Sequence, residues 1–293
     1  MPEIYEIKNR IEGLKSIHNI TYAMQIVTIS RLKRIIANLA RVKDAHKEVM
    51  NAVMILIAEK EKYYQALVNP NLDKEGTPLF VLFFSNRGFC GSYNQDVLSQ
   101  FNGYCEANAI DPEKVDLLCV GKKGQQSLKK PPSSRIRYFE PEKDILSADE
   151  IVDLYRKVKA VKEQNRPIYL VYFQFKSIVT QRPTVDSFYP LKLDGIPSFE
   201  KLNRSVPHFV EPDEATAFTQ LVESHYFLKL SQTVRDASSS EFSQRFLLMK
   251  SAVENVKELS DELYVDLNKQ RQGLITQEVS EIISTFKALN KKR

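Results

Sequence analysis

Four groups of residues have types and spacings that could do chemistry. Ser85-Asn-Arg-Gly-Phe-Cys-Gly-Ser92 follows an apolar run and precedes a helical pattern. A turn in that position can offer backbone N–H groups and a helix start to a phosphate. Gly121-Lys-Lys-Gly124 has a comparable place after a second apolar run, with two ammonium groups for an anion. Cys90 lies close to Arg87 and could be a thiol activated by a cation. Arg31, Lys33, Arg34, Arg41, Lys43 and Lys47 form a basic stretch able to face nucleic acid or acidic protein loops.

Each group has a plainer reading, and the plainer reading is preferred. Residues 85–92 lack both GxGxxG and GxxxxGK[ST] spacing, so a tight turn using Gly88 and Gly91 suffices. A strand-to-helix turn with solvated lysines accounts for 121–124. Cys90 has no histidine near it in sequence and reads as a small buried residue. The basic stretch has no interleaved aromatics on which bases could stack, so a solvated helix face or contact with acidic loops is favoured. His18, His46, His208 and His225 form no HxxxH or HExxH pattern. The 3 cysteines, Cys90, Cys105 and Cys119, include no CxxC pair, which argues against a zinc site and a disulfide framework. No catalytic residue, metal ligand or cofactor is assigned.

The elements that must carry these residues follow from proline. Of 13 prolines, Pro2 stands at the start and the rest lie between Pro70 and Pro212. An interior proline costs a helix about 3 kcal/mol, so residues 3–69 and 213–293 read as two long helices. By helical rise they would run about 95 Å and 115 Å over 3–66 and 213–290. In the first, Ile4, Ile7, Ile11 and Leu14 step by three and four. After a slip, Leu32, Ile35, Leu39, Val42, Val49, Val53 and Leu56 continue the rhythm, with His46 as a polar member. In the second, Phe242, Phe246, Met249, Val253, Val256, Leu263 and Leu267 keep it with Ser260 as the exception; Ile275, Val279, Ile282, Phe286 and Leu289 resume it. This is the coiled-coil condition. The slips imply local changes of supercoil. An antiparallel pairing of the two arms is the simplest closure, and periodicity alone leaves an intermolecular pairing open.

Between the arms, Leu79–Ser85, Val115–Gly121 and Ile168–Phe175 look like buried parallel strands. Helical patterns at Tyr93–Asn108, Lys122–Lys129 and Ala148–Gln164 separate them. Thr184–Leu191 is a possible edge strand, and Pro131–Pro141 and Pro190–Pro212 read as loops. The fold class is therefore α/β: a long antiparallel coiled coil of terminal helices around a central, Rossmann-like open sheet. The expected domains are 1–69, 70–210 and 211–293. Net charge of +5 is too mild for a dedicated nucleic-acid binder. Apolar runs such as Ala52–Ala58 fall short of the ~18 residues of a membrane span. The N-terminus has neither a signal-peptide h-region nor transit-peptide composition, so a soluble cytoplasmic chain is expected.

Three stretches resemble one family, the gamma subunit of rotary (F-type) ATP synthases. Ile7-Lys-Asn-Arg-Ile11 with Ile20-Thr-Tyr-Ala-Met-Gln-Ile-Val27 is similar to the family's N-terminal signature. Ser85–Asn94 resembles its DRGLCGGLN. Met249-Lys-Ser-Ala-Val-Glu-Asn255 and Asn268-Lys-Gln-Arg-Gln-Gly-Leu-Ile-Thr-Gln-Glu278 resemble MKAATDN and NKARQAxITQE. The departures are Gln25, Thr28-Ile-Ser30, Asn86, Phe89, Ser92 and Tyr93.

The resemblance implies a rotor subunit without an active site, coupling ion flow through a membrane c-ring to the catalytic cycling of beta subunits. Its partners would be three alpha and three beta subunits around the shaft, an epsilon subunit and the c-ring, with no nucleic acid and no membrane insertion. Met24, Arg245, Gln272 and Thr276 would contact beta subunits. Ile282, Ile283, Phe286 and Leu289 would turn in an apolar bearing, and Glu211 would lie on the c-ring side. The location implied is the cytoplasmic face of a bacterial inner membrane, as a peripheral protein. The rival readings are a stand-alone nucleotide-binding enzyme and a basic coiled-coil nucleic-acid binder.

Overall fold

The computed structural model describes residues 2–59, 76–128, 135–191, 211 and 213–290. The expected domain boundaries near 70 and 210, most of the Pro190–Pro212 loop and His208 lie outside them. Helix α1 spans Pro2–Glu59 and the last helix, α5, spans Glu214–Asn290. Between them come β1 (Leu79–Phe83), α2 (Tyr93–Ala107), β2 (Asp116–Val120), the single turn α3 (Gly124–Ser127), β3 (Ile136–Phe139), α4 (Ala148–Lys162), β4 (Ile168–Phe175) and β5 (Gln181–Tyr189).

The sheet order is β3-β2-β1-β4-β5. Strands β1 to β4 pair in parallel, and β5 runs antiparallel to β4. Alternation in β1 explains why its sequence is apolar throughout. Leu79, Val81 and Phe83 pack with Ile151, Leu154, Val158 and Val161 of α4 on one face. Phe80, Leu82 and Phe84 meet Tyr93, Val97, Phe101 and Cys105 of α2 on the other. A strand buried on both sides has no polar face to show. The start of α4 is fixed by a capping box, in which the Ser147 hydroxyl accepts from the Glu150 N–H and the Glu150 carboxylate accepts from the Ser147 N–H at 2.8 Å.

Two expectations for the central segment need correction. Residues 136–139, inside the segment read as a loop, form β3. The strand is short, half-exposed and at the sheet edge, so it lacks the apolar run that marks a central strand. The helix expected over Lys122–Lys129 is only the one turn of α3. At the opposite edge β5 begins before Thr184 and contains Pro183, tolerated where one side of the strand has no partner.

The chain divides into two compact units, residues 29–245 and residues 1–28 with 246–293. In the first, Val53 and Leu56 of α1 and Phe218, Tyr226, Leu230 and Val234 of α5 join the α4 face of the sheet core. Leu32, Ile35 and Phe242 form a smaller cluster with Ile178 from the β4–β5 turn. Lys43 pairs with Asp236 and His46 with Gln232 and His225, so the two helices run antiparallel within the chain. In the second unit Lys15 lies 5.7 Å from the Tyr264 ring centroid, and Leu14 and His18 share a groove with Val256 and Ser260. The order is again antiparallel.

The slip expected in α1 is absent. Ile4, Ile7, Ile11, Leu14, His18, Thr21, Gln25, Thr28 and Leu32 step by three and four without a break, and all are buried or half-buried. The interruption is one of polarity, not of register. The buried hydroxyls are satisfied locally, Thr21 donating to the Ile17 carbonyl at 2.8 Å and Thr28 to that of Met24 at 2.7 Å. The seam of α5 likewise runs through Ser260, Leu263, Leu267, Gln270 and Leu274. Ile275, Val279 and Ile282 then form a stripe one residue off that seam, and it is exposed.

Candidate functional site

The most heavily buried part of α5 is also its most polar. Between Leu230 and Arg245 nearly every side chain is buried, including Thr233, Asp236, Ser238, Ser239, Ser240, Glu241, Ser243 and Arg245. Small residues let other elements approach the helix on all sides. Ser240 donates to the Phe173 carbonyl at 3.1 Å, and the Tyr93 hydroxyl donates to the Ala237 carbonyl at 3.3 Å. Helix and sheet are thus tied at both the β4 end and the start of α2.

The 85–92 turn is held against this segment by Arg245 and Glu241. Arg245 donates through Nε to the Gly88 carbonyl at 3.1 Å and through Nη2 to the Arg87 carbonyl at 3.0 Å, while Nη2 also reaches Glu241 at 2.7 Å. Burial pushes the Glu241 carboxyl up to about 7, against the pull of Arg245 and of the Asn86 N–H. The turn is braced from inside as well. Ser85 N–H donates to the Asn94 side chain at 2.8 Å, and Lys122 N–H donates to the Asn86 side-chain oxygen at 3.1 Å. Asn86 in turn donates to the Asp144 carbonyl at 2.9 Å. Phe89 and Gly91 take positive φ at 60° and 61°, which turns the chain sharply and leaves the Phe89 ring exposed.

Cys90 is buried beneath this turn and its thiol is raised by burial, as befits a packing residue and not an activated nucleophile. Cys105 and Cys119 are buried too, pushed up to about 11 and about 12 by desolvation. Gly121 sits at φ +114, where an added Cβ would lie 2.3 Å from the Phe84 carbonyl oxygen. Its successor loop therefore passes directly against the end of β1. No group of His, Cys, Asp and Glu among the described residues could hold a metal ion.

A second polar seam joins α1 and α5. His46 Nδ1 meets the Gln232 oxygen at 3.0 Å, so Nδ1 carries the proton, and Nε2 faces His225 Nδ1 at 3.0 Å as acceptor. Burial, then the neighbouring His46, then Lys229 and Lys162 lower His225 to about 3. Asp236, wholly buried, receives Lys43 at 3.0 Å.

The residues expected from the resemblance are distributed over both units. Met24 is half-buried in α1. Gln272 and Thr276 are exposed one turn apart on α5, the Thr276 hydroxyl donating to the Gln272 carbonyl at 2.9 Å. Ile282 and Ile283 are exposed; the side chains of Phe286 and Leu289 lie outside the described residues. Glu211 is exposed. Arg245 stands apart, because its fork is engaged inside the chain. Sequence reasoning passed over Glu241 and Asp144, and marked Asn86 only as a departure from the family's turn motif. The i,i+4 spacing of Glu241 and Arg245 was the available signal, but in sequence it looks like any surface helix pair.

The ATP synthase family profile matches residues 3–289. The ATP synthase gamma chain of Cytophaga hutchinsonii is 26% identical over 300 residues, covering 99% of this chain and 100% of the relative. Those of Dinoroseobacter shibae and Pelagibacter ubique are each 27% identical, over 300 and 305 residues, with the same coverage. Among solved structures, a chain of the Euglena gracilis mitochondrial ATP synthase OSCP/F1/c-ring assembly matches with a TM-score of 0.64 at 19% identity, over 98% of this chain and 95% of that one. A chain of the Tetrahymena thermophila central stalk/c-ring structure matches at 0.57 and 18% identity, over 80% and 99%. These two likenesses carry the fold, and the profile carries the family: the chain belongs to the ATP synthase family, as a gamma chain.

Proposed function

We propose that this chain is the central rotor of an F-type ATP synthase, turning inside three alpha and three beta subunits on an ion-driven c-ring, with an epsilon subunit beside it. The observation that carries the reading is the pair of unbroken antiparallel helices, locked to a sheet domain by a buried polar clasp. A rotor must pass torque from its foot to its shaft without internal slip. Fully satisfied buried networks are costly to rearrange, so the Arg245 clasp suits that duty.

The chain itself carries no chemistry in this reading. Its effect on each beta subunit is differential contact energy: one asymmetric shaft favours a different state in each of three identical neighbours. Met24, Gln272 and Thr276 are proposed to contact beta subunits. Ile282 and Ile283, with Phe286 and Leu289, form the bearing surface, and Glu211 lies on the c-ring side. For Arg245 the reading is narrower: it shapes the 85–92 turn from within, and reaches a partner's carboxylate only if it exchanges its internal bonds. The domain limits 1–69, 70–210 and 211–293 remain the proposed division into arm, foot and arm. No described helix is long and apolar enough to cross a membrane, and we place the chain at the cytoplasmic face of a bacterial inner membrane through its partners.

The test is co-expression with the alpha and beta subunits of the same organism. A complex of three, three and one whose ATPase activity and proton or sodium pumping depend on this chain is the expected outcome. Assembly and coupled turnover without it would overturn the rotor reading.

A further inference from the structure

Outside the carboxyl ends of β1, β2 and β3 lies a cleft of about 460 Å³, within the range of small-molecule sites. In open parallel sheets this is the side on which ligands bind, near the point where strand order reverses. Here the reversal falls between β1 and β4; the cleft lies beside it, its lining drawn from Arg31 of α1 and from the segments that follow β1, β2 and β3. The cleft is lined by Arg31, Arg87, Lys122 and Lys143, against the carboxylates of Glu142 and Asp144. Positive charge is therefore in excess.

We propose that this cleft binds a phosphate-bearing anion. Asp144 receives Arg31 on one oxygen at 2.5 Å and Arg87 on the other at 2.6 Å. One carboxylate thus orients two guanidinium groups and neutralises one of them. Their planar forks keep further N–H donors for a multiply charged oxyanion. Lys122 adds an ammonium whose contact is the Glu142 carbonyl at 3.4 Å, too long and weak to resist a phosphate. The 85–92 and 121–124 turns spend backbone N–H groups on Asn94, Asn86 and the Ser85 carbonyl. What the lining offers an anion is its side-chain cations, and recognition of that kind needs no phosphate-loop spacing in the sequence. Ile145 is the one apolar residue among the lining, so the cleft offers no platform for a base. Free pyrophosphate and the phosphate tail of a nucleotide share the chemistry the site recognises.

The inference stands apart from the rotor reading, which gives this chain no ligand; co-assembly tests that reading and anion titration tests this one. The full chain is titrated with pyrophosphate by calorimetry and by ³¹P line broadening. Saturable one-to-one binding below about 1 mM is expected, a level that two charge-assisted bonds can sustain. Lys122→Gln and Arg87→Gln should each weaken it about tenfold, with unchanged circular dichroism because both side chains are exposed. Tripolyphosphate and ATP should bind alike and adenosine not at all; a marked preference for ATP would overturn the absence of a base platform. No saturation at millimolar pyrophosphate, or binding that survives both substitutions together, would overturn the site. Should the double variant misfold, Lys122→Gln alone decides it.

Discussion

Arg245 and Glu241 meet at 2.7 Å with side chains only 6% and 5% exposed, and the same guanidinium holds two carbonyls of the 85–92 turn. An ion pair this deep contributes little merely as a pair, because both charges lose their water. Its value is geometric. It fixes a sheet loop to a helix through bonds that cannot be half made.

Truncating one partner should therefore be costly. Arg245→Ala leaves the Glu241 carboxylate and two carbonyls without their donor, and a loss of about 3–5 kcal/mol in urea unfolding is expected. The paired change Arg245→Met with Glu241→Leu should recover much of it, since no charge is left stranded. A double variant as unstable as the single one would mean that the turn, and not the stranded charge, dominates.

The histidine pair makes a prediction about pH. His225 is lowered to about 3 from 6.5 in the folded chain, so the unfolded chain takes up the proton first. Its contribution to stability is present above about pH 6.5 and is lost as pH falls from there towards 3. Glu241, raised to about 7 from 4.5, acts in the opposite sense: stability falls as pH rises across that window. A single unfolding curve would mix the two. The stability difference between the protein and His225→Phe isolates the first, and should shrink by about 1 kcal/mol between pH 7 and 5.5. A pH-independent difference would refute the neutral pair.

Gly121 tests how tightly the β2 loop is pressed against β1. Its φ of +114 and the 2.3 Å approach to the Phe84 carbonyl leave no room for a side chain. Gly121→Ala should cost at least about 2 kcal/mol in denaturant unfolding. Gly13 and Gly273 have nothing within 4 Å of an added Cβ, so their alanine variants should be neutral or slightly stabilising as helix formers.

The contrast shows which features were legible in advance. Proline exclusion marks the helices because a single interior proline is so costly, and β1 is visible because burial on both faces forbids polar residues. The continuous register of α1 was not visible. His18, Thr21, Gln25 and Thr28 occupy seam positions with polar side chains, and a search for apolar spacing sees a gap there. β3 was hidden for the converse reason: an edge strand with exposed Arg137 and Tyr138 has no signature beyond its neighbours. The clasp was invisible because its partners lie far apart in sequence. Arg245 reads in sequence as a contact for a partner and 85–92 as a self-contained tight turn, and only the fold brings the two together.

The exposed stripe on α5 separates function from stability. Ile282 and Ile283 are 68% and 50% exposed, so they do little to hold the described chain together. Ile282→Ser with Ile283→Ser should leave the unfolding free energy of the isolated chain within about 0.5 kcal/mol. In the assembled complex the same pair should lower coupled ATP turnover, because an apolar surface left uncovered in the free chain has to be covered elsewhere. A comparable loss of stability in the isolated chain would assign the stripe to intramolecular packing. Full activity with full stability would show that the stripe has no partner, and would remove the bearing from the rotor reading while leaving the clasp intact.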